Sequence, residues 1–232
     1  MDINRKGFLL AATAALLTQA DPSQARTKPI YYLPNSKLKT FAWTIDDGVS
    51  NGAVLSYLNI AEKYNQHLTF FVTSCYPTWK KNAKRIQPLV DAGKIQLANH
   101  TLSHRDLTKS SDAVVRNQIL ECHKFLLGEF GYDARPFFRP TYGYWNPRVL
   151  NLAAELGYTA PMMWMGTLGD KASLPEGQTL QLADEWIHSG RIVIDHANSL
   201  KSASEINGIL KIIRSRELRS VTLREAFGKN FR

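Results

Sequence analysis

The sequence predicts an α/β domain built around a predominantly parallel sheet, either open or closed into a barrel. Strand-like and helix-like segments alternate from residue 40 onward, which is typical of repeated βα units and a parallel sheet. The 232 residues are 44% apolar and 21% charged, an ordinary globular composition that suits one domain of about 200–250 residues. This composition excludes a disordered, collagen-like or coiled-coil chain.

The strands are predicted from short runs rich in apolar, β-branched and aromatic residues. These runs cover residues 40–45, 68–73, 94–98, 135–138, 158–165, 191–195 and 220–223.

The helices are predicted from apolar residues at helical spacing, flanked by capping residues and glycine stops. They cover residues 51–64, 78–92, 146–156, 178–189 and 202–215. A further long helix begins at a cap within residues 110–112 and stops at Gly131. Asn146 caps the helix over 146–156, and Gly157 stops it.

Residues 1–25 are predicted to be a cleaved signal peptide. Arg5 and Lys6 precede an apolar run over residues 7–17, which falls short of the roughly 20 residues of a spanning helix. The sequence Ser23-Gln24-Ala25 supplies small residues before a cut. An uncleaved N-terminal anchor is the alternative interpretation.

We expect residues 26–232 to form one domain, or residues 21–232 if the cut follows Ala20. The net charge of +9 belongs to residues 26–232, because the charges before residue 26 cancel. Such an excess fits either nucleic acid or an anionic envelope polymer. No Gly-rich phosphate loop or recognisable nucleic-acid module accompanies it, so nucleic acid is not an expected partner. We therefore expect an exported protein, periplasmic or extracellular, that does not span the membrane.

Polar side chains gather where the predicted strands end. In α/β folds the active site lies at the carboxyl ends of the strands. Separate loops should thus bring carboxylates, imidazoles and a guanidinium to one rim. The residues are Asp46, Asp47, His100, His104, Arg139, Asp195 and His196.

Two histidines four positions apart are able to converge on one ion. His100 and His104 have this spacing, either on a helical turn or in a tight loop, and position 101 is Thr rather than the Glu of a His-Glu-x-x-His metalloprotease. With Asp47 they make a two-His, one-carboxylate set that leaves coordination positions open. Such a set suits catalytic zinc or another divalent first-row metal, with cobalt or nickel as alternatives.

At this point the sequence resembles the polysaccharide deacetylases, the carbohydrate esterase family 4 or NodB-homology group. The resemblance covers about residues 40–225 and follows the family's motif order. It implies a distorted (β/α) barrel and a metal-dependent hydrolase of acetylated glycans. It rests on Thr44-Ile45-Asp46-Asp47-Gly48, His100-Thr101-Leu102-Ser103-His104, Arg139-Pro140-Thr141-Tyr142-Gly143, Asp170 and Ile194-Asp195-His196.

The resemblance also implies roles for individual residues at the metal. Asp47, His100 and His104 would hold the metal, and Asp46 would be the general base that takes the water proton. Arg139 would tether Asp46 through a charge-assisted hydrogen bond.

Further roles follow on the leaving-group side. His196 would be the general acid that protonates the departing sugar amine, and Asp170 would orient it. The backbone N–H of Tyr142 would help hold the oxyanion. Trp145 follows the Arg139 motif closely, so we expect it to stack on a sugar ring.

Some positions depart from the family pattern. Val49 and Thr141 stand where prolines are usual, and the fourth motif reads Thr167-Leu168-Gly169-Asp170-Lys171, so Lys171 replaces a Trp. The altered fourth motif leaves open a non-catalytic glycan-binding protein on the same fold. A second alternative is an amidohydrolase of a small non-sugar amide, an activity that related barrels also support.

Overall fold

A sheet of seven strands runs through the centre of the protein in this computed structural model, which describes residues 28–169, 174–175 and 177–228. The predicted signal segment, residues 1–25, and Asp170 lie outside the described residues. The strands are β1 Thr40–Asp47, β2 Leu68–Val72, β3 Ile95–Asn99, β4 Phe137–Phe138, β5 Ala160–Pro161, β6 Ile192–His196 and β7 Arg219–Ser220.

The sheet is curled into a distorted (β/α) barrel, as predicted. Its strand order is β5-β4-β3-β2-β1-β6, with β7 also paired to β1, and all of these pairings are parallel. Residues 165–168, which follow β5, reach across to β6. Met165 N–H donates to the carbonyl of Ile192, and Leu168 N–H donates to that of Ile194. These bonds join the two ends of the curled sheet.

Helices surround the sheet and follow the predicted alternation closely. Ser50 and Asn146 cap α1 and α5 with their side chains, and Gly131 ends α4 in the left-handed conformation. The helices are α1 Asn51–Lys63, α2 Thr78–Lys81, α3 Ala83–Asp91, α4 Asp112–Phe130, α5 Pro147–Glu155, α6 Gln178–Trp186, α7 Ala203–Ser215 and α8 Leu223–Phe227.

Several elements differ from their predictions, among them the strand over 135–138, which is limited to β4. The helix predicted over 78–92 is divided into α2 and α3 at Asn82, whose amide donates to the carbonyl of Thr78 and to the Asn51 side chain. The strand predicted over 158–165 is limited to β5. The strand predicted over 220–223 ends at Ser220, because Thr222 and Glu225 form a capping box that starts α8.

The two faces of β1 pack into different apolar clusters. Phe41, Trp43 and Ile45 belong to the large cluster between sheet and helices, whereas Ala42 belongs to a second cluster on the opposite face. Because side chains alternate along a strand, Asp46 lies on the same face as Ala42. A carboxylate is thus carried into the interior of the barrel.

Both cysteines are free thiols. Cys122 is fully buried on α4 and donates to the carbonyl of Val72, whereas Cys75 is exposed. Burial raises the pKa of the Cys122 thiol to about 12. Such a thiol is inert at neutral pH.

None of the helices in the described ranges combines the length and apolar character that a membrane crossing requires.

Candidate active site

The predicted polar residues come together at the carboxyl edge of the sheet. Asp46 and Asp47 end β1, His100 directly follows β3, Arg139 directly follows β4, and His196 ends β6. Because the strands are parallel, these ends lie on one rim of the barrel.

Asp47, His100 and His104 form a cluster of possible metal ligands. Their ligating atoms all lie within 4.8 Å of one another. Nε2 of His104 is 3.3 Å from Oδ1 of Asp47, and Nε2 of His100 is 3.7 Å from the same oxygen. Two imidazole nitrogens and one carboxylate oxygen are a donor set that suits zinc and similar divalent metals.

The orientation of His100 fits a metal ligand. Its Nδ1 lies 2.8 Å from the backbone carbonyl of Arg139, which only accepts hydrogen bonds. Nδ1 therefore carries the proton, and the lone pair of Nε2 faces Asp47 and His104. This carbonyl–imidazole contact is typical of metal-binding histidines.

A tight loop, not a helix, brings the two histidines together. Thr101 and His104 both have a positive φ, 76° and 56°. The Asn99 side chain accepts from the N–H of Thr101, and the Thr101 hydroxyl accepts from the N–H of His104. Side chains thus replace regular backbone bonding and hold the loop in its strained form.

Asp47 is held by several groups besides the histidines. Asn198 Nδ2 donates to its Oδ2 at 2.7 Å, and the Trp79 indole donates to its backbone carbonyl at 3.0 Å. The next residue, Gly48, has a φ of 99°, and a Cβ there would lie 2.3 Å from the Trp79 ring. Only glycine fits this turn.

Arg139 anchors Asp46 inside the barrel. Its guanidinium is fully buried and donates to Oδ1 of Asp46 at 2.6 Å and to the hydroxyl of Thr44 at 3.0 Å. It also donates to the carbonyls of Met162 and Met163. The ring of Phe71 lies 3.9 Å beneath it. These contacts fix the Asp46 carboxylate next to the histidines.

The charges of the cluster shift its protonation. Burial raises the pKa of Asp47, but the nearby His100 and His104 and the Asn198 hydrogen bond outweigh it, so the pKa is lowered overall. Burial and His100 lower the pKa of His104. Both shifts favour the deprotonated forms that bind metal.

His196 lies beside Asp46, since the two residues are Cα partners in the β1–β6 pairing. The preceding Asp195 is fully buried and accepts from the Trp43 indole at 3.3 Å and from Lys201 Nζ at 2.8 Å. Its Oδ1 also accepts from the N–H of His196. The backbone that carries His196 is thereby fixed.

The segment after Arg139 forms the outer wall of the site. Tyr142 has a φ of 59°, is 56% exposed, and makes an edge-to-face ring contact with His104, with ring centres 4.4 Å apart. Trp145 is 37% exposed and available at the surface, unlike the fully buried Trp43. Thr141 donates its hydroxyl to the carbonyl of Arg105, which ties this segment to the histidine loop.

Sequence reasoning did not identify two supporting residues. Asn198 is 151 positions from Asp47, and Trp79 is 32 positions away. An asparagine in a loop and a single tryptophan near the start of a predicted helix are common, so neither carries a functional signal by itself. Only their contacts with Asp47 reveal them.

The chain belongs to the polysaccharide deacetylase family, whose model matches residues 34–161. Its relatives include peptidoglycan deacetylases. It is 27% identical over 180 residues to the peptidoglycan-N-acetylmuramic acid deacetylase PdaA of Bacillus subtilis, covering 76% of this chain and 67% of that one. It is 28% identical over 208 residues to the peptidoglycan-N-acetylglucosamine deacetylase PgdA of Listeria monocytogenes, covering 85% of this chain and 43% of the longer relative.

A solved structure confirms the fold. A carbohydrate esterase family 4 pseudoenzyme of Bacillus anthracis matches with a TM-score of 0.75 and 20% identity, over 88% of this chain and 70% of that one. The fold alone therefore does not establish turnover.

Proposed function

We propose that this protein is a metal-dependent deacetylase of an N-acetylated or O-acetylated glycan, with Asp46 as general base and His196 as general acid. The observation that supports this proposal most strongly is the Asp47–His100–His104 cluster, which has the Asp46 carboxylate beside it. Oδ2 of Asp46 is 3.5 Å from Nε2 of His100. Family membership and the deacetylase relatives support the reaction class.

Asp47, His100 and His104 would hold the divalent metal, with zinc the best match and cobalt or nickel as alternatives. Once bound, the cation supplies Lewis acidity to the acetyl carbonyl and to the attacking water.

The two oxygens of Asp46 have separate tasks in this proposal. Oδ1 is occupied by Arg139, whereas Oδ2 faces His100. Oδ2 is therefore the atom that would accept the water proton. Arg139 holds the carboxylate in place and balances its charge.

His196 would deliver a proton to the departing amine or alcohol. It stands next to Asp46 on the neighbouring strand, so acid and base would act from adjacent positions on the rim. Tyr142 would donate its backbone N–H to the oxyanion, and Trp145 would stack on a sugar ring. Asp170 would orient His196.

We propose an envelope glycan such as peptidoglycan as the substrate, because both curated relatives named above act on peptidoglycan. The predicted signal peptide would export residues 26–232 to that material.

Acetate release from a panel of acetylated glycans tests the proposal. The panel contains peptidoglycan, chitooligosaccharides and an O-acetylated polysaccharide, with small cyclic amides for the amidohydrolase alternative. We expect metal removal to abolish release and Asp46→Asn to reduce it by about 10²–10⁴-fold. Asp91→Asn, which alters an exposed carboxyl on α3, is the matched control and should keep full activity.

Acetate release, together with a glycan-binding measurement, separates the non-catalytic alternative. That alternative is favoured by Lys171 in the fourth motif and by the pseudoenzyme with this fold. It predicts no acetate release from the parent protein, and glycan binding that survives Asp46→Asn. Metal-dependent release that requires Asp46 would refute it.

A further inference from the structure

The loop after β6 contributes a side chain to which the proposed mechanism gives no role. Asn198 follows His196 by two positions, and its Nδ2 lies 2.7 Å from Oδ2 of Asp47. A carboxylate only accepts hydrogen bonds, so the amide must turn its N–H₂ group toward Asp47.

The backbone around Asn198 is fixed independently of this contact. Ala197 is fully buried, its N–H donates to the carbonyl of Asp46, and its carbonyl accepts from the N–H of Ser50. Beyond Asn198, Lys201 pairs with the buried Asp195 at 2.8 Å. The amide is therefore delivered to Asp47 by the pairing of β6 with β1.

The two oxygens of Asp47 consequently have different surroundings. Oδ1 faces Nε2 of His104 at 3.3 Å and Nε2 of His100 at 3.7 Å, and it has only a long contact of 3.5 Å with the Thr73 hydroxyl. Oδ2 carries the much shorter Asn198 hydrogen bond. We propose that Asn198 is a positioning residue that occupies Oδ2, so that Asp47 offers Oδ1 alone to a divalent cation. This inference rests on the proposed function, since it assumes that Asp47 is a metal ligand.

Binding of the metal through one oxygen of Asp47 would leave more coordination positions open. A carboxylate that binds through both oxygens fills an additional coordination position. Holding Asp47 to one oxygen keeps positions open for water and for the acetyl carbonyl, as catalytic metal sites require. Hydrogen bonds to metal-binding carboxylates commonly set their orientation in this way.

The other end of the Asn198 amide supports a role directed at Asp47. Its Oδ1 is buried and has no hydrogen-bond partner among the described residues. A buried acceptor without a partner is destabilising, so packing alone does not account for an asparagine here. The hydrogen bond that Asn198 donates to Asp47, the proposed metal ligand, does account for it.

Metal binding by purified variants tests the proposal. Asn198→Ala removes the donor, and Asn198→Gln keeps an amide on a longer side chain. Leu200→Ala is the matched control, because it changes a 64% exposed side chain in the same loop. The readouts are the Zn²⁺ dissociation constant, from competition with a chelator, and the visible spectrum of the Co²⁺-loaded protein.

We expect Asn198→Ala to bind Zn²⁺ roughly 10–100-fold more weakly and to change the Co²⁺ spectrum, because Oδ2 is then free to ligate. Asn198→Gln should recover part of the affinity, and Leu200→Ala should match the parent. Equal Zn²⁺ affinity and identical Co²⁺ spectra in the parent and Asn198→Ala would overturn the inference and leave the proposed function standing. A parent protein that binds no metal would overturn both. If Asn198→Ala does not fold, Asn198→Gln decides: Zn²⁺ binding weaker than in the parent supports the inference, and a Zn²⁺ affinity and Co²⁺ spectrum equal to those of the parent overturn it.

Discussion

Arg139 places a guanidinium in the interior of the barrel, out of contact with water. Removing it leaves the buried Asp46 carboxylate without its cation. Breaking a buried pair in this way costs about 3–5 kcal/mol. We therefore expect Arg139→Met to lower the free energy of unfolding of the metal-free protein by about this amount in urea titrations.

Arg116→Met provides the comparison for this prediction. Arg116 also pairs with a carboxylate, Glu155 at 2.7 Å, but both side chains are largely exposed. Its loss should cost only about 0–1 kcal/mol. Equal effects of the two substitutions would contradict the structural role assigned to Arg139.

His104 gives the metal-free protein a defined pH dependence. Its pKa in the folded protein lies below the ordinary value of 6.5, because burial and His100 disfavour the charged form. Between that lowered pKa and 6.5 the unfolded chain binds more protons, so stability rises with pH. The contribution of His104 to the free energy of unfolding is fully present above pH 6.5. It is lost as the pH falls through the lowered pKa of His104.

Urea titrations of the metal-free parent and of His104→Gln, at pH values on both sides of 6.5, check this direction. The parent should gain more stability with rising pH than the variant does. Parallel pH profiles would mean that His104 does not contribute.

The candidate site residues were predictable from the sequence because their residue types, their spacing and their positions at strand ends all point to a metal site. Asp46, Asp47, His100 and His104 are examples. The residues that hold them in place were not predictable. Asn198 reaches Asp47 only because β6 pairs with β1, and Thr141 reaches Arg105 only because β4 follows β3 in the sheet. Such contacts are set by tertiary structure and leave no local pattern.

At the scale of elements, the turn from β1 into α1 depends on Gly48. A Cβ at this position would collide with the Trp79 ring, which donates to the backbone of Asp47. Gly93 also has a positive φ, 71°, but nothing lies within 4 Å of a Cβ there. We expect Gly93→Ala to cost about 1–2 kcal/mol from backbone strain alone.

Gly48→Ala should cost clearly more than Gly93→Ala and should also weaken Zn²⁺ binding, because Trp79 has to move. Urea titration and chelator competition on both variants measure the two effects. If the two variants are equally stable and bind Zn²⁺ equally, Trp79 does not support Asp47.

Two of the strands that were predicted inaccurately share a cause. Short apolar runs fit several structures, so the segment at 158–165 and the segment at 220–223 were both extended too far as strands. The second contains a readable signal, since Thr222 and Glu225 have the spacing of a capping box and start α8. Asn82 divides the helix predicted over 78–92 through tertiary contacts with Asn51 that the sequence does not display.

At the scale of the whole molecule, alternating strands and helices predicted the parallel sheet, and the family resemblance supplied the barrel. Neither predicted which residues close the barrel. Residues 165–168 bond to β6 although they form no regular strand, so hydropathy patterning gives them no distinct signature.

The net charge of +9 also belongs to the whole molecule. We expect it to retain the protein on anionic cell-wall polymers. Raising NaCl from about 0.1 M to about 1 M shortens the Debye length from roughly 10 Å to roughly 3 Å and should release the protein. Co-sedimentation with anionic wall material measures this, and uncharged chitin is the control. Retention that is independent of salt would mean that the positive charge does not hold the protein on the wall polymer.

The pairing of β6 with β1 has a consequence for the order in which the site is assembled. The three candidate metal ligands lie between residues 47 and 104, whereas Asn198, which holds Asp47, and His196, the proposed acid, come near the end of the chain. A chain made from its N-terminus therefore exposes the candidate ligands long before Asn198 and His196 are made. The site is complete only when the last third of the chain has folded back onto the first.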